Sequence, residues 1–227
     1  MTDPSVDRPT RHLIVVADGD VPERAALDLA WPGWALDVAE VIAADGGLAR
    51  ARAIGLEPTL LVGDLDSLPA AAAARAEADG VEVHRAPVDK DESDTELALL
   101  EAVRRGATRI TVLGAFGGPR LDHALANVWL LGHPALGAVD VQLLDATTRA
   151  SIIRGPATRA LPGPVGRTVS LLPLGGDAEG ITTAGLRYPL HDEPLRTGPA
   201  RGLSNVRTDA AASVALRGGR LLVLESA

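Results

Sequence analysis

The sequence contains no cysteine, so disulfides, thiolate nucleophiles and cysteine-bound metals are excluded, and a cytoplasmic setting is expected. Aromatic residues make up only 2% of the chain, too few for the stacking platforms that hold single-stranded nucleic acid. The net charge of −8 lacks the basic surplus that phosphate backbones and anionic membranes require. Neither a nucleic acid nor a membrane is expected as a partner. No apolar run approaches the length of a membrane span. Residues 1–11 are polar and proline-bearing, without the basic-then-apolar form of a signal peptide, and read as a disordered tail.

What is present is enough for a sizeable core: 227 residues, 46% of them hydrophobic. Up to residue 145 short apolar runs alternate with helical stretches. Strands are expected at 12–17, 38–43, 59–62, 81–84, 109–113 and 139–144. Between them, residues 23–30, 47–54, 69–79 and 93–105 read as helices, and a further helix follows Asp122-His123. Ser93 and Glu96 have capping-box spacing. Leu121, Leu125 and Val128 recur at i, i+4 and i+7, one face of the last helix. Such alternation is the pattern of a parallel α/β sheet, whose strand-to-helix loops all open at one edge.

Beyond residue 146 the texture changes to short β-like segments punctuated by glycine and proline: 150–154, 168–172, 180–183, 201–206, 211–216 and 221–224. Gly218-Gly219 between the last two is a hairpin signal. The expected fold is therefore α/β: an N-terminal parallel-sheet three-layer domain over 12–145, then an antiparallel β-sandwich or barrel domain over 146–227.

Four of the α/β loops carry aspartate: Asp45, Asp64 with Asp66, Asp89 with Asp91 and Asp94, and Asp122. Asp64 and Asp66 stand one residue apart at a strand end, where extended backbone would point both carboxylates to one side. Such a pair alone reads as a solvated turn. With three further acidic loops at the same edge, a hard divalent cation is the better reading, since Mg²⁺ takes carboxylate, water and phosphate oxygens. Asp45-Gly46-Gly47 sets a carboxylate and two permissive residues at a helix start, a place that suits phosphate. Lys90 can meet a phosphate, and Asp91 and Asp94 can reach a common ligand. The glycine-rich stretch 114–123 brings Gly117, Gly118 and Arg120, a phosphate clamp, next to Asp122, a candidate base, metal ligand or substrate anchor. It ends in neither a Walker A motif nor a dinucleotide fingerprint. His123 reads as structural.

Asp45-Gly46-Gly47, Gly63-Asp64-Leu65-Asp66-Ser67, Asp89-Lys90-Asp91-Glu92-Ser93-Asp94, the stretch 114–123 with Asn127, and the segments 185–190 and 202–205 occur in the order seen in thiamine pyrophosphokinases. The chain resembles that family over nearly all its length past residue 12. The resemblance implies pyrophosphoryl transfer from ATP to the hydroxyl of thiamine, releasing AMP, with Mg²⁺, by a homodimer holding thiamine at the subunit interface. It implies Mg²⁺ and ATP handling by Asp45, Asp64, Asp66, Asp91 and Asp94, with Asp66, Asp91, Asp94 and Asp122 as the catalytic set. ATP contacts are implied at Asp45, Gly46, Gly47, Asp64, Lys90, Gly117, Gly118 and Arg120, and thiamine contacts at Asp122, Ser204 and Asn205. Two departures stand out. Pro119 separates the double glycine from Arg120, and Gly202-Leu203-Ser204-Asn205 lacks the tryptophan of many animal members. Two other functions fit the same residues: a pyrophosphokinase for another alcohol such as a pterin, and a non-catalytic nucleotide- or thiamine-binding sensor.

Overall fold

The structure is a computed structural model that describes residues 10–66 and 68–227. The expected N-terminal tail lies outside these residues except for Thr10 and Arg11, and so does Ser67. Six strands build the parallel part of the sheet: β1 (His12–Val16), β2 (Val38–Ala44), β3 (Leu60–Gly63), β4 (Glu82–Arg85), β5 (Arg109–Leu113) and β6 (Asp140–Leu144). All five residues of β1 are buried, which is why it reads as a continuous apolar run instead of an alternating one. β4, at the sheet edge, is the polar exception.

The helices between them are α1 (Arg24–Ala30), α2 (Gly47–Ala53), α3 (Ala70–Ala78), α4 (Asp94–Arg104) and α5 (Leu121–Leu130). Ser93 caps α4, its hydroxyl accepting the Glu96 N–H at 3.2 Å, and Ala98, Leu99 and Ala102 bury the inner face of that helix. On α5, Val128 packs against the core of the sheet. Leu121 and Leu125 are exposed, and so is Trp129 one turn further on. The 3.6-residue period places those side chains on one face but does not say what covers it.

The strand order β4-β3-β2-β1-β5-β6 reverses direction of travel at β1, the switch point where open α/β sheets leave a crevice at the carboxyl ends of their strands. The sheet does not stop at β6. β7 (Thr148–Arg154) pairs antiparallel with β6, and β14 (Arg220–Ser226), β9 (Thr168–Pro173) and β12 (Asn205–Val206) extend it to ten strands. A second, four-stranded sheet contains β11 (Glu193–Leu195), β10 (Ala178–Ala184), β13 (Ser213–Leu216) and β8 (Ala157–Ala160). Ile153, Val169, Leu171, Leu221 and Val223 of the long sheet pack against Ala178, Ile181, Val214 and Leu216 of the short one, so the antiparallel part is a sandwich.

Two expectations fail here for one reason. β13 and β14 do not form a hairpin: Gly218-Gly219 carries the chain from one sheet to the other, β13 pairing with β10 and β8 while β14 pairs with β7 and β9. The 201–206 segment is a strand only at Asn205–Val206. Local turn residues describe how the chain bends, not which strand it finds afterwards.

Candidate functional site

A cavity of about 710 Å³ opens at the carboxyl edge of the parallel strands, over the switch point. Two loops form its floor. After β1, the Gly19 N–H donates to Gly114 O at 3.0 Å, joining that loop to the one after β5. The approach is close enough to require glycine on both sides. A Cβ on Gly19 would lie 2.3 Å from Gly114 O, and one on Gly114, whose φ is +67°, would lie 2.4 Å from Ala17 O. Gly47 is required for a similar reason, since its Cβ would meet Val16 O at 1.9 Å. That glycine serves helix–strand packing.

The acidic side chains of the loops after β2 and β3 then meet. Oxygens of Asp45, Asp64 and Asp66 lie within 4.8 Å of one another. The backbone route differs from the extended one expected: β3 ends at Gly63, and Leu65 adopts a left-handed φ of +64°. The Asp66 N–H donates back to Asp64 Oδ1 at 3.1 Å, closing an Asx turn. A left-handed leucine costs roughly 1–2 kcal/mol. Burial of its side chain among Leu48, Leu61 and Ala73 offsets that by about 2 kcal/mol. Asp45, 5% exposed, also has a positive φ, +46°. Strained backbone at two positions of one site is a mark of functional geometry.

Lys90 bridges the third wall, with Nζ 3.0 Å from Asp64 Oδ2 and 3.1 Å from Asp94 Oδ1. Burial opposes its charge, but the bonds from Asp64 and Asp94 outweigh that and hold the ammonium above its usual pKa. The same Lys90 bond, with the Asp66 N–H, holds Asp64 below the usual carboxylate range. On the opposite rim Arg120 pairs with Asp122, Nε to Oδ1 at 3.0 Å, and drives the Asp122 carboxyl down to about 2. Both side chains are exposed. Asn127, buried in α5, donates to Ala115 O at 3.0 Å and steadies the start of the glycine-rich loop.

Asp45, Asp64, Asp66, Lys90, Asp94, Gly117, Gly118, Arg120 and Asp122 thus line one cavity. Gly46 caps α2 beside it, its missing Cβ making room for the Asp18 carboxylate. Asp91 is exposed and is not among the cavity's walls. Nor are Ser204 and Asn205, which belong to the sandwich. The Asn205 side chain is committed locally: it donates to Tyr188 O at 2.7 Å and accepts the Tyr188 N–H at 3.0 Å, leaving the tyrosine ring exposed.

Two residues at the site have no signal in the sequence. Asp18 lines the cavity and pairs with Arg50 at 3.6 Å. Asp20 accepts the Gly118 N–H at 2.8 Å and so holds down the glycine-rich loop just before Pro119. Nothing local in Asp18-Gly19-Asp20 points to a loop about a hundred residues away.

Comparison with known proteins bears on the whole chain. Residues 36–143 match the model of the thiamin pyrophosphokinase catalytic domain, and residues 158–221 match that of the thiamin pyrophosphokinase vitamin B1 binding domain. The chain belongs to the thiamine pyrophosphokinase family. Family members are kinase-type transferases of thiamine metabolism. A curated relative, thiamine pyrophosphokinase of Bacillus subtilis, is 25% identical over 185 residues, 82% of this chain and 86% of the relative. The crystal structure of the Bacillus subtilis enzyme superposes with a TM-score of 0.82, 25% identity, and coverage of 95% of this chain and 99% of that one. The Geobacillus thermodenitrificans enzyme gives 0.78, with 27% identity and coverage of 95% and 97%. Yeast thiamin pyrophosphokinase, at 15% identity, shares the fold with a TM-score of 0.76, coverage being 97% of this chain and 87% of that one.

Proposed function

We propose that the protein transfers a pyrophosphoryl group from ATP to the hydroxyl of thiamine, giving thiamine diphosphate and AMP, with Mg²⁺. The observation that carries this reading is the meeting of the Asp45, Asp64 and Asp66 oxygens within 4.8 Å, beside a glycine-rich loop bearing Arg120. The vitamin B1 binding model over 158–221 favours thiamine as the acceptor over a pterin alcohol.

The donor set fits Mg²⁺, being all carboxylate oxygen with phosphate oxygens to complete it. Asp45, Asp64 and Asp66 would hold the metal, with Asp94 reachable once Lys90 turns to phosphate. Mg²⁺ bound there supplies charge neutralisation, without which an anionic triphosphate and a ring of carboxylates repel one another. The chain's own residues then position the reactants. Lys90 and Arg120 bind phosphate oxygens, and Arg120 leaves Asp122 to do so. The Gly117 amide approaches the same oxygens, the Gly118 amide being held by Asp20. The thiamine hydroxyl oxygen attacks the β-phosphorus in line. The bond from that phosphorus to the α–β bridging oxygen breaks, and AMP departs with the electron pair. Asp122, released when Arg120 turns to phosphate, suits orienting the hydroxyl. The proton goes to a carboxylate of the 89–94 loop, Asp94 or, after a loop movement, Asp91.

On this reading residues 12–145 hold nucleotide and metal, while 146–227 contribute the thiamine contacts and the interface of a cytoplasmic homodimer. Ser204 meets the substrate directly and Asn205 shapes the Tyr188 loop around it. The test is incubation with ATP, Mg²⁺ and thiamine, followed by separation of the nucleotides. AMP and thiamine diphosphate should appear in equal amounts, and AMP release that does not depend on thiamine would contradict the proposal.

A further inference from the structure

A second cleft, of about 830 Å³, lies where the two coverings of the long sheet meet: α1 and the 31–34 turn on one side, the 162–167 loop of the sandwich on the other. Its size is that of a small-molecule site. Two features set its chemistry apart from the rest of the surface. The whole chain has three tryptophans, one tyrosine and one phenylalanine, yet Trp31 and Trp34 both stand here. Each indole is pinned, Trp31 Nε1 donating to Asp145 O at 2.6 Å and Trp34 Nε1 to Asp28 Oδ1 at 2.8 Å. Rigid aromatic walls cost little entropy when a ligand packs on them.

The second feature is charge. In a chain of net charge −8, four arginines line this cleft, Arg109, Arg149, Arg167 and Arg207, with Glu225 and the last residue, Ala227, beside them. Glu225 is already spoken for: it accepts from Arg207 at 2.7 Å and from Arg149 at 2.9 Å, with its side chain 1% exposed. Arg149 also stacks over Trp31, 4.9 Å from the ring centre. Arg109 and Arg167 remain. Arg109 lines the cleft, and its Nε has no hydrogen-bond partner among the described residues, so no contact among them neutralises its charge. Arg167 is exposed at the rim. On the other side Leu29, 85% exposed, makes an apolar lip.

We propose that this cleft binds an aromatic phosphate monoester, its dianionic phosphate on Arg109 and Arg167 and its ring against the Trp31–Leu29 wall. Two guanidiniums beside a triad that already carries a surplus positive charge suit a dianion better than a monoanion. The inference is independent of the acidic cavity and of the reaction proposed for it.

Phenyl phosphate is the probe. In a Trp129→Phe variant the tryptophan emission comes from Trp31 and Trp34 alone, and titration with phenyl phosphate should give a saturable change in it. Arg167→Gln should weaken that binding about tenfold, and Arg109→Gln should do the same. Because Arg167 is exposed, its variant keeps the test sharp if Arg109→Gln does not fold. Asp66→Ala should leave binding unchanged, and inorganic phosphate and benzyl alcohol should each bind at least about tenfold more weakly. The proposal is overturned by an unsaturable response, or by equal binding in Arg167→Gln. It is overturned by loss in Asp66→Ala, which puts the probe in the acidic cavity, and by phosphate matching phenyl phosphate, which makes it an adventitious anion only. A probe-induced drop in sedimentation coefficient also overturns it, since a second copy of the chain would then cover the cleft.

Discussion

The two edges of the parallel sheet are both rich in carboxylates and treat them in opposite ways. At the amino edge Glu40, Glu82 and Glu101 meet Arg11, Arg104 and Arg105. Arg105 alone reaches all three, at 2.9 Å, 2.5 Å and 2.8 Å. The protein balances that cluster from its own side chains. At the carboxyl edge Asp18, Asp45, Asp64, Asp66, Asp94 and Asp122 line one cavity with only Lys90 and Arg120 as lysine and arginine partners among its described walls. There the backbone is strained at Asp45 and Leu65. An edge that compensates its charge internally serves stability; one that gathers surplus negative charge on strained backbone is arranged for a cationic partner.

The largest effect that would break this contrast is chemical. Asp66→Ala is expected to lower thiamine-dependent AMP formation at least about a thousandfold, roughly 4 kcal/mol of transition-state stabilisation. Asp66 is exposed, so the unfolding free energy from urea titration should hold to within about 0.5 kcal/mol. Unchanged turnover would remove the carboxylate from the site.

Arg105→Ala should do the reverse, costing about 2–3 kcal/mol in urea unfolding because three glutamates lose a shared partner. Activity per folded molecule should stay the same. The pH dependence follows from Glu101, whose carboxyl is lowered from 4.5 to about 2, by Arg104 chiefly and Arg105 in addition. A depressed folded-state pKa contributes stability that is fully present above 4.5 and lost as pH falls from there toward 2. Acid unfolding curves should therefore show a component in that window, and Arg104→Ala should shrink it.

A smaller effect is expected at Asp20, which holds the glycine-rich loop through the Gly118 N–H. Asp20→Ala should raise the KM for ATP about tenfold or less, the value of one charge-assisted hydrogen bond. The kcat should change little. A fall in kcat with KM unchanged would mean that the loop acts on the reacting atoms and not on nucleotide binding.

Much of this contrast is legible in the residues themselves. Buried runs such as 12–16 and 109–113 announce parallel strands through their unbroken apolar character, and loops at strand ends must then share an edge. Asp45, Asp64, Asp66, Asp89, Asp91, Asp94 and Asp122 are expected together on that ground; five of them line one cavity, while Asp89 and Asp91 stay exposed outside it. Non-local pairing is hidden. Gly218-Gly219 looks like a hairpin but joins two sheets, the Asp20–Gly118 contact spans 98 positions, and the left-handed Leu65 has no signal in leucine itself. The glutamate–arginine network at the amino edge is equally invisible, because it joins β2, β4 and the end of α4 only after folding.

The most direct test of the central claim is calorimetric titration with a non-hydrolysable ATP analogue, in Mg²⁺ and again in EDTA. If the carboxyl edge needs a divalent cation to accept a triphosphate, affinity should fall at least about a hundredfold without metal, and Asp64→Asn should lose much of the metal dependence. Equal affinity in Mg²⁺ and in EDTA would contradict the account, leaving the acidic loops without the role assigned to them.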